Sequence, residues 1–321
     1  MRVRFGACVA ATLAAVVLGG SAASAADVLK IAVGQCGNWD SSPIQLGDGA
    51  GIYAKHGITI EAVCTQGTGE TQQAVISGSA DVGIGIGTLG ALGAFSKGAP
   101  IRIISGSATG NADFWFVKAD SPLKTIKDTT DATTIAYSTN GSSSNNIVVA
   151  FISELGAKAK PTATGGPAAT LTATMSGQID IGWAAPPFGL QEIKEGKIRI
   201  IAHGSDVPSL RGQTVRVVIV NANSLKTKHD AIMRFMDGYR EAVNWMYADP
   251  KAVEMYSKKI HRPVELLKES MEKFHPKSAL QTDHFADLDG AIRDAVKLKF
   301  LDKPLTKEQI AELLQIPPVK K

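Results

Sequence analysis

Two stretches decide the reading of this chain. Ser77-Gly78-Ser79-Ala80-Asp81-Val82-Gly83 returns about a hundred positions later as Ser176-Gly177-Gln178-Ile179-Asp180-Ile181-Gly182. Ser, Gly, Asp, a β-branched residue and Gly hold the same spacing in both. Working backwards, Gly67 matches Gly166 and Gly57 matches Gly156 at the same offset, and Lys30-Ile31-Ala32-Val33 matches Thr134-Ile135-Ala136-Tyr137 in kind. The sequence thus holds two copies of one plan.

Each copy reads strand, helix, strand, helix, strand. In the first, Leu29–Val33 is a β-rich run. Ser41-Ser42-Pro43 supplies a cap and a first-turn proline for a helix to about His56, stopped by Gly57. Ile58–Val63 alternates as a strand, Thr68–Ser77 forms a short helix and Asp81–Ile86 the third strand. The second copy runs Thr134–Tyr137, a helix from Ser142 to Leu155, a strand near Lys160–Ala163, a helix Pro167–Ser176 and Ile179–Trp183. Alternating strands and helices imply α/β units with parallel sheets and right-handed crossovers. The fold class expected is therefore α/β, with two Rossmann-like lobes. Phe114–Val117 and Val215–Val220 bracket the second copy as two passes of a hinge. The predicted domains are lobe one at 26–117, lobe two at 118–214 and a return to lobe one at 215–321. Helices at Lys228–Tyr247, from Pro250, and at Val264–Phe274, Leu288–Leu298 and Thr306–Leu314 are expected to pack on lobe one. The first carries Ile232, Phe235, Met236, Tyr239, Val243 and Met246 at helical spacing.

The 321 residues are 44% hydrophobic and 20% charged, which is globular, and the length favours two domains. Arg2 and Arg4, an apolar Ala7–Leu18 and Ala23-Ser24-Ala25 read as a secretory signal peptide, residues 1–25, cut before Ala26. The Ala7–Leu18 stretch is too short to span a bilayer, and Cys8 lies too early for lipid attachment. Cleavage takes the formal charge from +4 to +2 by removing the two arginines. No basic stripe interleaved with aromatics marks a nucleic-acid surface, so no nucleic acid is expected. Cys36 and Cys64 remain. They end the first two strands and can bridge in an oxidising compartment if those strands are parallel neighbours; the alternative is two separate thiols.

Ligands of open parallel sheets sit beyond the carboxyl ends of the strands. That rule selects Asn38, Trp39, Asp40 and Ser41 after the first strand, Gly67 and Thr68 after the second, and Gly87 and Thr88 after the third. The second lobe adds Ser138, Asn140, Ser142 and Ser143, then Trp183 and Pro186. These segments open helices, whose unpaired N–H groups and positive dipole ends receive carboxylates, sulfonates or nitrate. None contains Lys or Arg, so neutral donors are expected to hold the ligand. Each Ser alone reads as a helix cap; the cluster reads as a binding surface. Trp39 is expected to stack on a flat ligand, and Asp40 to accept from an amine or cap its helix. Trp115 suits a core strand. Asp81 and Asp180 are read as turn fasteners.

Catalytic signatures are missing from the sequence. Gly85-Ile86-Gly87-Thr88-Leu89-Gly90 fits a dinucleotide fingerprint by letter, but no acidic residue follows until Asp113. No HExxH, GxSxG or Walker spacing occurs. Neither a metal site nor a cofactor is expected, nor catalysis.

The order of Lys30-Ile31-Ala32-Val33-Gly34, Gly51-Ile52-Tyr53-Ala54-Lys55-His56-Gly57-Ile58, the Ser77–Gly83 turn, Val117-Lys118-Ala119-Asp120-Ser121-Pro122-Leu123 and Ser176–Asp180 resembles the type II periplasmic-binding-protein fold. Within that fold it resembles the nitrate-, sulfonate-, taurine- and thiamine-precursor-binding family. The resemblance implies a periplasmic receptor that closes two lobes on a ligand, with a membrane permease and its ATPase as partners; it does not settle the ligand, and a small organic anion such as a sulfonate or aromatic carboxylate, bound by a monomer, is the expectation. Pyrimidine-precursor synthases share the likeness, so an enzyme on this fold is one alternative and a secreted sensor another. The family's Trp-Asp-Pro at the end of the second-lobe strand reads Trp183-Ala184-Ala185-Pro186 here, without the acid.

Overall fold

The computed structural model describes residues 26–319; the expected signal peptide lies outside them. Among the described residues ten strands form the framework: β1 Asp27–Gly34, β2 Ile58–Thr65, β3 Val82–Gly87, β4 Ile101–Thr109, β5 Phe114–Lys118, β6 Thr134–Tyr137, β7 Lys160–Ala163, β8 Gly182–Ala184, β9 Ile198–His203 and β10 Thr214–Asn221.

Lobe one is a sheet ordered β2-β1-β3-β10-β4. Its first three strands are parallel, as crossover helices require, while β10 runs antiparallel between β3 and β4. In lobe two, β6 pairs with β7 in parallel, and β8 and β9 flank β5, antiparallel to it. A parallel bridge between Ile135 and Ile181 joins the two pieces. The resulting order, β7-β6-β8-β5-β9, repeats that of lobe one position for position. The sequence analysis missed β4 and β9, and with them this equivalence. It also expected wholly parallel sheets. The antiparallel member in each lobe is a strand that adjoins a crossing between the lobes, and it enters its sheet from the opposite direction.

The hinge therefore lies earlier than the expected boundary near residue 118. β5 is not a strand of lobe one but is paired on both sides within lobe two. The chain crosses at Gly110–Asp113 and returns through Gly204–Gln213. The two crossings touch, through Gly110 N–H to the Gln213 carbonyl (2.9 Å) and Gly204 N–H to the Asp113 carbonyl (2.8 Å).

The expected helix from Ser42 to His56 is two, Pro43–Gly49 and Ile52–Lys55. Gly47, Gly49 and Gly51 weaken its middle, and Gly51 turns left-handed at φ 71°. The repeated aspartates do matching work between strands rather than inside their own turns. Asp81 accepts the Lys30 N–H (3.0 Å) and Asp180 the Thr134 N–H (2.8 Å), each on the first strand of its lobe. The predicted apolar stripe of His229–Ala248 lies wholly in the lobe-one core. Helix Val264–Phe274 departs from expectation because it serves both lobes. Leu267 packs in the lobe-one core, while Leu266 and Phe274 pack with Phe114 of β5. Adjacent helical residues point about 100° apart, so one helix can face two bodies. At the strand ends, β1 and β2 are parallel neighbours and Cys36 is disulfide-bonded to Cys64, with Cα atoms 5.5 Å apart.

Candidate functional site

The carboxyl ends of both sheets meet across a cleft. Helix Ser143–Ser153 opens there, capped by Ser142, whose hydroxyl accepts the Asn145 N–H (3.1 Å). Ser138, Ser142 and Ser144 link their hydroxyls in a chain at 3.0 and 3.3 Å. From lobe one, Ser41 donates to the Gly34 carbonyl (3.1 Å), and Thr68 accepts the Gly87 N–H (3.1 Å). Asn38, Ser41, Gly67, Thr68, Ser138, Ser142, Ser143 and Trp183 share the walls of one small hollow. Two buried groups among them have no hydrogen-bond partner in the protein: the Asn38 Oδ1 acceptor and the Trp183 Nε1 donor.

The cleft is nearly shut. Its free volume is about 10 Å³, which is about the room one water needs. The lobes touch where Gly69 N–H meets Thr139 Oγ1 (3.3 Å) and Gly90 N–H meets the Gly141 carbonyl (3.2 Å). A Cβ placed on Gly87 lies 2.2 Å from that same Gly141 oxygen, so the two lobes approach closely at Gly87.

Arg216 of β10, which the sequence analysis passed over, stands at the centre. Its Nε donates to Ser143 Oγ in lobe two (2.9 Å). One terminal nitrogen pairs with Asp40 in lobe one, and the other with both oxygens of Asp113 in the crossing segment (3.0 and 2.9 Å). All three charged groups are buried, with Asp40 3% and Asp113 1% exposed. Burial opposes the guanidinium charge, but the two carboxylates outweigh it and raise Arg216 above its ordinary value. Burial, aided by the Asp40 charge and opposed by Arg216, raises the Asp113 carboxyl. With both carboxylates ionised the cluster carries one net negative charge. A lone Arg inside the otherwise apolar Val215–Val220 was the available signal, since a fully buried strand tolerates a charge only when it is paired.

Several expected site residues lie elsewhere. Trp39 does not line the hollow. It sits in the lobe-one core, edge-on to Tyr247 and Tyr256, with its N–H donated to Tyr247 Oη (2.9 Å). Those partners lie some two hundred residues away in the chain, so its polar neighbours misled. Asp40 neither caps a helix nor lines the cleft; it holds Arg216. Thr88 is turned to the Thr214 carbonyl (2.6 Å), and Asn140 is exposed and accepts from Tyr137 (2.7 Å). Pro186 is buried beside helix Val264–Phe274, its carbonyl 3.1 Å from His275 Nε2. Trp115 is core in lobe two, edge-on to Phe151. Among the described residues no group of His, Cys, Asp or Glu is arranged to hold a metal, and no helix is long and apolar enough to cross a membrane.

The model of the family described as NMT1/THI5 like matches residues 38–253, more than half of the chain. The chain belongs to the NMT1/THI5-like family. Solved structures agree on the fold of this NMT1/THI5-like chain, that of the periplasmic binding proteins. The alkanesulfonate-binding protein SsuA from Xanthomonas axonopodis pv. citri, bound to MOPS, superposes with a TM-score of 0.75 at 17% identity, covering 90% of this chain and 98% of its own. The periplasmic aliphatic sulphonate-binding protein SsuA from Escherichia coli gives 0.69 at 17%, covering 92% and 94%. The periplasmic nitrate-binding protein NrtA from Synechocystis PCC 6803 gives 0.67 at 15%, covering 90% and 86%. No curated protein sequence matches the chain.

Proposed function

We propose that this protein is a non-catalytic, monomeric solute receptor of the periplasm. It closes its two lobes over a small organic anion and hands it to the permease and ATPase of an ABC importer. The observation that carries the reading is the pair of orphaned polar groups in the shared hollow, Asn38 Oδ1 and Trp183 Nε1. Buried polar atoms without partners cost about 1–3 kcal/mol each, and a ligand that satisfies them recovers that cost on closure. Oxygens of a sulfonate or carboxylate suit the Trp183 donor and the N–H groups opening helix Ser143–Ser153, while Asn38 Oδ1 takes a hydroxyl or amino donor on the same organic anion. Arg216 is already shared between two carboxylates, so it contributes a hydrogen-bonded wall rather than a free charge. A solute larger than water needs the cleft wider than it stands here, and the paired crossings Gly110–Asp113 and Gly204–Gln213 are the place for hinge motion.

The test is a thermal-shift and calorimetric screen of the mature chain against alkanesulfonates, aromatic carboxylates and nitrate, followed by mass spectrometry of the recovered ligand. One-to-one binding of an anion recovered unchanged supports the reading. Chemical turnover, or no anion bound below millimolar concentration, refutes it.

A further inference from the structure

The buried charge cluster and the cleft share a wall. Arg216 lines the small hollow beside Ser143, and its Nε donates to Ser143 Oγ there (2.9 Å). Its terminal nitrogens hold Asp40 and Asp113, neither of which lines the hollow. An anion in the hollow therefore meets the guanidinium first and two carboxylates behind it. One guanidinium shared by two carboxylates leaves one net negative charge. A like charge this close opposes an anion, and burial keeps salt from screening it.

The other titratable groups around the cluster do not relieve that charge. Tyr239, Tyr247 and Tyr256 face Asp40, and burial raises all three, so they stay neutral. His275 faces Asp40 and Arg216, and burial lowers it from its ordinary value, which favours the neutral ring. Asp206, on the returning crossing, is exposed and accepts the His203 N–H (2.7 Å). Asp113 is the member placed to change charge. It is 1% exposed, and burial, aided by the Asp40 charge, raises its carboxyl against the pull of Arg216. A proton from solvent turns this carboxylate into the acid with no other bond change. The cluster is then neutral, and Arg216 faces a single carboxylate.

We propose that anion capture in this cleft is coupled to uptake of a proton by the Asp40–Arg216–Asp113 cluster, so that the protein binds its ligand more tightly as the surroundings become more acidic. The inference rests on the reading of the hollow as an anion site. Its sign follows from linkage: a bound anion favours the protonated cluster, and protonation reciprocally favours the bound anion. Removing one like charge at this range is worth about tenfold in affinity.

Titration calorimetry of the mature chain with ethanesulfonate, whose own charge is constant from pH 8 to pH 5, tests the coupling. Runs in buffers of different ionisation enthalpy count the protons. Affinity is expected to rise about tenfold across that range, with up to one proton taken up per anion. The neutral isostere ethanesulfonamide is expected to take up none. Asp113→Asn, which keeps an oxygen acceptor for Arg216, is expected to bind at pH 8 as tightly as the wild type does at pH 5 and to lose the pH dependence. Should that variant fail to fold, the proton count in the wild type decides by itself. Constant affinity without proton uptake, or a pH dependence that persists in Asp113→Asn, overturns the coupling and leaves the anion site standing. Failure of ethanesulfonate to bind at any pH overturns both.

Discussion

Replacing Arg216 with leucine isolates the energetics of the buried cluster. The change leaves Asp40 and Asp113 facing one another at 3% and 1% exposure with no counter-charge. Removing one partner of a buried ion pair costs about 3–5 kcal/mol, because the charge left behind is uncompensated. Unfolding entropy for a chain of this size is about 0.6 kcal/mol per kelvin at the transition, so the melting temperature should fall by about 5–8 °C at pH 8. Burial already raises the Asp113 carboxyl from its ordinary value, and losing the guanidinium raises it further. A carboxyl whose folded pKa exceeds its unfolded one stabilises the protein at acid pH and loses that contribution as pH rises through the folded value. The deficit of Arg216→Leu should therefore shrink as pH falls from 8 to 5. Adding Asp40→Asn and Asp113→Asn should recover most of it at pH 8. The assay is calorimetric melting of the wild type, the single variant and the triple variant across that range. A deficit that stays constant with pH, or that the two asparagines do not relieve, would refute the account of a charge cluster and point to lost packing alone.

Other substitutions probe separate features. Gly87→Ala places a methyl against the Gly141 carbonyl; both lobes should stay folded while small-angle scattering shows a wider particle that no longer contracts with ligand. Trp183→Phe removes an unpartnered buried N–H, so the ligand-free protein should gain about 1 kcal/mol in denaturant unfolding while affinity for the cleft ligand falls about tenfold. Cys64→Ser opens a bridge between residues 28 positions apart and should cost up to about 3.6 kcal/mol on the loop-entropy model, read as a lower urea midpoint. Trp39→Ala should destabilise lobe one by about 3–5 kcal/mol, as aromatic truncations in cores do, and should weaken cleft binding only in proportion to lost folded protein.

The parts of the fold that could be read from the sequence were local. The repeat about Asp81 and Asp180, the glycine stops and the 3.6-residue stripe of Ile232 to Met246 all depend on spacings within a few turns of chain. The same holds for the hydroxyl-rich helix openings at Thr68 and Ser142, which do line the hollow. What escaped depends on distant partners. Trp39 reads as a loop residue until Tyr247 and Tyr256 arrive from the C-terminal helices. Asp40 looks like a cap until Arg216 claims it. β5 was assigned to the wrong sheet because an apolar run reveals that a strand is buried, but not which neighbours bury it. The crossing point was displaced for the same reason.

The position of β10 between β3 and β4 constrains the order in which the molecule can be assembled. As the chain is synthesised, β3 and β4 emerge early and must wait, with a gap between them, while the whole of lobe two is made. Lobe two needs nothing beyond His203 to complete its strands, whereas the centre of lobe one stays open until Asn221 has left the ribosome. The middle of the polypeptide can thus complete its sheet before the segment that precedes it, and the edges of β3 and β4 are left open in the interval.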